Sequence, residues 1–166
     1  PYDKGGEIAL KGKVDEDWLQ SLMDEPYYSM HPPKSTGREL FNNDYAQKIL
    51  KNAPENKFDI IATITALTAK TIFDAYRHFV LPKTSIQEIV LGGGGAYNKA
   101  LIKYLNSYFN NTVIIKTHKD FGIDDKFKEA IAFAMLGFCT LNKKCNNLEL
   151  CTGAQKRVIM GLISYS

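Results

Sequence analysis

Residues 86–98 read IQEIVLGGGGAYN, and this stretch decides the fold. Ile86, Ile89, Val90 and Leu91 form a short apolar, β-branched run that four glycines, Gly92 to Gly95, bring to a stop. From Asn98 the pattern changes. Ala100, Leu101, Tyr104, Leu105 and Tyr108 recur at helical spacing through 98–109. Beyond the Asn110-Asn111 turn a second apolar strand, TVIIK at 112–116, is followed by a loop around Gly122 and a second helical segment over 124–141. Strand, helix, strand, helix in that order predicts an α/β fold with parallel strands and right-handed crossovers.

Upstream, Val14, Trp18, Leu19 and Leu22 share one face of a short helix over 14–25, with acidic residues in its first turn and Pro26 as its stop. Residues 27–41, YYSMHPPKSTGRELF, hold two adjacent prolines and no hydrophobic period, so they read as an ordered loop. Asn43 or Asp44 then caps a helix that runs to residue 52. The longest element spans 58–80, where Ile60, Ile61, Ile64, Leu67, Ile72, Ala75 and Phe79 form the wide apolar stripe of a buried helix. At the other end, Val158-Ile159-Met160 reads as a last short strand.

With 166 residues and 45% hydrophobic content, the chain is long enough for one domain with a single core. The net charge of +3 comes from 21 basic and 18 acidic residues dispersed along the sequence, which argues against a nucleic-acid partner. No segment approaches the ~20 apolar residues that span a bilayer, so no membrane partner is expected. Cys139, Cys145 and Cys151 match neither a paired metal motif nor a disulfide framework, even if His31 or His118 is drawn in; free thiols in a reducing cytoplasm fit them better. The turn-like PYDKGG at the start reads as a cut from something longer.

Three stretches can carry chemistry. The glycine run between strand and helix lets backbone amides approach a ligand and points to a nucleotide, although it is neither GxGxxG nor a Walker loop. A tight strand-to-helix turn without ligand fits it equally. Lys34-Ser35-Thr36-Gly37-Arg38-Glu39 places two cations, two hydroxyls and a carboxylate in six residues, which suits either a polar cleft or a solvated connector. Glu129 precedes the small-residue face Ala130, Ala132, Ala134 and points either into a cleft or to solvent. His78 lies in the long helix as a packing residue, and no nucleophile–histidine–acid set or catalytic carboxylate pair emerges.

Taken together, four segments resemble the anhydro-N-acetylmuramic acid kinases of peptidoglycan recycling. They are Pro33-Lys34-Ser35-Thr36-Gly37-Arg38-Glu39 with Phe41; Ile61-Ala62-Thr63-Ile64-Thr65-Ala66-Leu67-Thr68-Ala69; Gly93-Gly94-Gly95-Ala96 with Asn98; and Glu129-Ala130 with Ala132-Phe133-Ala134. Asn147-Leu148, Thr152-Gly153-Ala154 and Val158-Ile159-Met160-Gly161 extend the similarity to the end, so that it covers essentially the whole chain.

The resemblance implies a ribonuclease H-like lobe of the sugar kinase, actin and heat-shock chaperone superfamily, with a short, mostly parallel sheet and long flanking helices. It implies ATP and Mg2+ as cofactors and 1,6-anhydro-N-acetylmuramic acid as substrate. Water opens the anhydro ring and O6 is phosphorylated, giving N-acetylmuramic acid 6-phosphate. By position, Gly93, Gly94, Gly95, Ala96 and Asn98 would face the adenosine, while Lys34, Ser35, Thr36, Gly37, Arg38, Glu39 and Glu129 would face the sugar or phosphates. The family's N-terminal phosphate loop, its catalytic aspartate and its FDxGPGN segment precede the matched region. The expectation is therefore that residues 1–166 form a C-terminal, nucleotide-side lobe, that no catalytic residue lies in this chain, and that the N-terminal lobe and a second copy in a homodimer are its partners. Tyr97 stands where the family often has histidine. The competing expectation is a non-catalytic nucleotide-binding or assembly module of the same fold, in which Arg38, Glu39 and Glu129 need not converge on one concavity with Gly94 and Asn98.

Overall fold

The computed structural model describes residues 2–124 and 127–164. Seven α-helices and two strands are present among them: α1 (Glu16–Met23), α2 (Pro26–Ser29), α3 (Asn43–Leu50), α4 (Lys57–Ala75), β1 (Glu88–Leu91), α5 (Lys99–Tyr108), β2 (Ile114–Thr117), α6 (Lys128–Leu141) and α7 (Glu149–Thr152). The two strands pair in parallel, with Glu88 opposite Ile114 and Leu91 opposite Thr117. A parallel pair needs a crossover, and α5 supplies it. The α/β expectation with a short parallel sheet is met.

The starts of α1 to α5 are each set by a side chain that accepts an otherwise unpaired backbone N–H, whereas α6 and α7 have no such cap. Asp15 Oδ1 accepts from Trp18 N–H at 2.9 Å at the start of α1. Asn98 Oδ1 accepts from Leu101 N–H at 3.0 Å at the start of α5. In α3 the cap is Asn42, which accepts from Tyr45 N–H at 2.9 Å, rather than the expected Asn43 or Asp44. Three neighbouring short polar residues compete for that role, and only Asn42 has the extended backbone a cap requires. Pro26 both ends α1 and opens α2, since its fixed φ suits a first helical position.

Burial on α4 falls on small residues. Ala62, Ala66 and Ala69 have no exposed surface, so α5 can approach closely and seat Leu101, Leu105 and Phe109 beside Ala69 and Val113. Ile89, Leu91 and Ile115 carry this cluster onto the sheet. On the other side of α4, Ala66 and Leu67 pack with Trp18, Leu19 and Leu22 of α1. Tyr104 touches both clusters. After Ala75 the chain continues through one π-helical turn, Tyr76–Val80, so the helix expected over 58–80 is α4 plus this wider turn. Asn110 and Asn111 take left-handed φ values of 49° and 54° and turn the chain from α5 into β2.

Two expectations at the C-terminal end are corrected. The helix expected from residue 124 is observed from Lys128; Asp124 is not helical, and residues 125 and 126 lie outside the described residues. The last strand does not form. Val158 N–H instead donates to Asn147 Oδ1 at 2.7 Å, and Met160 N–H donates to Asn146 Oδ1 at 2.6 Å. Two side-chain amides thus take the place of a partner strand, as asparagine readily does. The small-residue face of α6, Ala130, Ala132 and Ala134, is exposed, and so are Phe133, Met135 and Leu141, at 72%, 65% and 70% accessibility. Among the described residues no helix is long and apolar enough to cross a membrane.

The segment before α1 is tied to the first turn of α4. Lys13 N–H donates to Asp59 Oδ1 at 2.7 Å, and Asp15 N–H donates to the buried Thr63 Oγ1 at 2.9 Å, while that hydroxyl donates to Asp59 O at 2.8 Å. Gly12 lies so close to α4 that an added Cβ would stand 2.0 Å from Phe58 O. Since backbone rather than a pliable side chain is in the way, Gly12→Ala is expected to cost at least about 1–3 kcal/mol. Thr63→Val keeps the volume but strands Asp15 N–H, for an expected loss of about 1–3 kcal/mol. Urea unfolding measures both, and a midpoint unchanged from wild type in either variant would contradict this picture of the junction.

Candidate functional site

The carboxyl ends of both parallel strands lead to one edge of the molecule. Beyond β1 come the four glycines, and beyond β2 comes a turn, His118–Phe121. This is the edge at which open parallel sheets place their ligands. The glycines there are not equivalent. A Cβ on Gly92 would stand 2.1 Å from the His118 ring, so that residue is small because the second turn packs on it. Gly93 has φ 73° and ψ −163°, a conformation that favours glycine. Gly94 has neither constraint, and a Cβ there would meet no atom within 4 Å. Gly95 is nearly as open, with only Leu101 Cδ2 at 3.5 Å. Ala96 is buried beneath the loop, and Asn98 is the cap of α5.

Gly94, Gly95, Tyr97 and Asn98 form one wall of a cleft of about 620 Å3, and Tyr2, Asp3, Lys4 and Gly5 form the other. The second wall is a compact turn. Asp3 accepts from Ile8 N–H at 2.8 Å and from Ala9 N–H at 3.0 Å. Gly5 and Gly6 have φ 66° and 76°. Gly6 lies against the α5 cap, where a Cβ would stand 2.2 Å from Asn98 Oδ1 and 2.8 Å from Ala100 N. Nothing in the composition of 2–6 singles these residues out as a wall of the site; their place depends on contacts with residues more than ninety positions away.

At the rim, Lys119 Nζ lies 5.4 Å from the Tyr97 ring centroid. The turn that carries Lys119 is held by Asp120, whose carboxylate accepts from Thr117 N–H at 2.6 Å and from Thr117 Oγ1 at 3.0 Å. Those two donors, the backbone one foremost, hold the Asp120 carboxyl below the usual carboxylate range.

The residues of the proline loop lie elsewhere. Lys34 Nζ donates to Tyr27 O at 2.8 Å and Tyr28 O at 3.0 Å, and sits over the Tyr27 and Phe79 rings at 4.7 and 5.3 Å. Burial lowers the Lys34 pKa. Ser35, Thr36, Gly37, Arg38 and Glu39 are exposed, and Gly37 O accepts from Leu40 N–H and Phe41 N–H to close a turn. Glu129 is exposed in the first turn of α6. The glycine-loop cleft is lined by neither Arg38, Glu39 nor Glu129, so these groups are not brought together with Gly94 and Asn98.

Beside Lys34 is a second cavity of about 430 Å3 between α1, α2 and the π-helical turn. His31, His78 and Asp74 line it together with Tyr28 and Phe79. His31, isolated in the sequence, meets the Phe79 ring edge-on at 5.4 Å. Asp74 lies 3.9 Å from Lys70 Nζ and 3.7 Å from Arg77, and burial, aided by Tyr45, raises the Tyr28 phenol above the usual tyrosine range.

The family model for anhydro-N-acetylmuramic acid kinase matches residues 1–166. The chain is 48% identical over 165 residues to the anhydro-N-acetylmuramic acid kinase of Francisella tularensis subsp. novicida (strain U112), a match that covers 99% of this chain and 43% of that protein. It is 43% identical over 164 residues to the kinase of that name from Clostridioides difficile (strain 630), covering 98% of this chain and 43% of the relative. With that of Caldanaerobacter subterraneus subsp. tengcongensis it shares 40% identity over 166 residues, covering 98% and 42%. It thus spans less than half the length of the curated relatives it matches. Matched from end to end by the family and at this level of identity, the chain belongs to the anhydro-N-acetylmuramic acid kinase family.

Proposed function

We propose that the chain is the nucleotide-side, ribonuclease H-like lobe of a cytoplasmic sugar kinase that uses ATP to convert 1,6-anhydro-N-acetylmuramic acid into N-acetylmuramic acid 6-phosphate. The relatives carry the name of that kinase. The observation that bears most directly on the site is Gly94, whose bare backbone faces a cleft of about 620 Å3 with no protein atom near the place of a side chain. Open space in front of a glycine, at the carboxyl edge of parallel strands, suits a bound nucleotide. In this reading Gly93 to Ala96 shape the surface against which the adenosine lies, and Asn98 holds the loop through its cap bond.

The reaction adds water across the anhydro bridge and moves the γ-phosphoryl group of ATP to O6, releasing ADP. Such a transfer needs a base for the water and cations that offset charge on the phosphoryl group. Among the described residues no three His, Cys, Asp or Glu side chains converge as metal ligands. The base, the metal ligands and the phosphate loop are assigned to the N-terminal lobe. Lys34 to Glu39 and Glu129 are assigned to the sugar side, reached when the lobes close or a homodimer forms. The exposed Phe133, Met135 and Leu141 on α6 support this arrangement, because such a surface is normally covered.

A second reading, a non-catalytic nucleotide-binding or assembly module, is favoured by one observation: Arg38, Glu39 and Glu129 do not border the glycine-loop cleft. Turnover separates the two. The first reading expects sugar phosphate and ADP from a full-length protein containing this chain, and none from the chain alone. A full-length protein that binds ATP but yields neither product would establish the module instead.

Calorimetric titration with Mg-ATP tests the nucleotide site itself. Gly94→Val places a side chain in open space, so stability is expected to change by less than about 0.5 kcal/mol, while affinity drops at least tenfold, or about 1.4 kcal/mol. Equal affinities for wild type and variant would contradict the assignment of the glycine loop.

A further inference from the structure

The glycine-loop cleft has two walls, and only one of them belongs to the family's nucleotide loop. We infer that Lys4, on the opposite wall, is a nucleotide-binding residue whose ammonium group holds the phosphate chain. This inference rests on the nucleotide reading above and adds a residue to it.

The first ground is position. Lys4 lines the same cleft as Gly94 and Asn98, and at about 620 Å3 that cleft is of the size that takes a small organic ligand, about 300–1,000 Å3. The second is charge. Among the described residues that line the cleft, Lys4 is the cation and Asp3 the carboxylate. The Asp3 carboxylate is already engaged by Ile8 N–H at 2.8 Å and Ala9 N–H at 3.0 Å. Lys4 Nζ takes part in none of the ion pairs or hydrogen bonds among the described residues, which leaves its donors for an anionic ligand. An ammonium in a concave cleft attracts a polyanion, and lysine binds phosphate as a compact point charge.

The third ground is rigidity. Gly6 is fixed against Asn98 and Ala100 by a contact too close for any side chain, and Gly12, Lys13 and Asp15 are fixed on the first turn of α4. The turn that carries Lys4 is therefore clamped from both sides to the helix that follows the glycine loop and to the helix beneath it. The backbone that presents Lys4 is thus fixed before a ligand arrives, so the ordering cost of the contact is confined to the side chain.

The test is a set of calorimetric titrations of the chain with adenosine, ADP and ATP, for wild type, Lys4→Ala and Gly94→Val, with thermal melts to confirm folding. The expected result is a loss of about tenfold or more in ADP and ATP affinity for Lys4→Ala, with adenosine affinity unchanged and Lys4→Arg close to wild type. Gly94→Val is expected to weaken all three ligands. If Lys4→Ala binds ADP and ATP as wild type does while Gly94→Val does not, the role of Lys4 is overturned and the nucleotide site stands. Equal weakening of adenosine and ATP by Lys4→Ala also overturns it, since the contact would not then be to phosphate. Wild-type chain that binds none of the three, or Gly94→Val that binds like wild type, overturns both assignments.

Discussion

The Thr63 hydroxyl, buried in the first turns of α4, accepts from Asp15 N–H and donates to the Asp59 carbonyl. Around it the chain has little freedom. Asp59 takes Lys13 N–H, and Gly12 must remain glycine because the Phe58 carbonyl occupies the space a side chain would need. This junction locks the start of the chain onto α4. From it the turn at 2–6 extends to the α5 cap, where Gly6 fits beneath Asn98. One buried hydroxyl and two glycines thus place a turn from the beginning of the chain opposite a loop from its middle, and the cleft between them exists only while that placement holds.

The cleft edge is equally conditional on the two strands. Pairing in register brings the ends of β1 and β2 level, so that the glycine loop and the His118 turn emerge side by side and the His118 ring covers Gly92. Leu91, Ile89 and Ile115 anchor the strands to the cluster around Leu105, which has no exposed surface. The open backbone at Gly94 is thus carried on a rigid support, as binding loops generally are.

What the sequence made legible was local. A short β-branched run, glycine punctuation and helical spacing in 86–109 sufficed for strand, loop and helix, because each signal lies within a few residues of what it determines. The α3 cap missed by one residue, since Asn42, Asn43 and Asp44 offer the same chemistry and only backbone geometry separates them. The missing last strand has a different cause: Val158 to Met160 have strand-like side chains, but their backbone groups are taken by Asn146 and Asn147. The cleft's second wall and the cavity with His31, His78 and Asp74 were illegible because both join residues distant in the chain. For the proline loop the residue types were plain, but not that Lys34 turns inward to two carbonyls and leaves Arg38 and Glu39 on the surface.

The central claim is that a nucleotide lies between the glycine loop and the turn at 2–6. Amide chemical-shift mapping of the isotope-labelled chain during titration with Mg-ADP tests it residue by residue. The account predicts the largest shifts at Gly93, Gly94, Gly95 and Lys4, with Ser35 to Glu39 unmoved. Shifts concentrated instead at His31, Lys34 and His78 would place the ligand in the other cavity and contradict it.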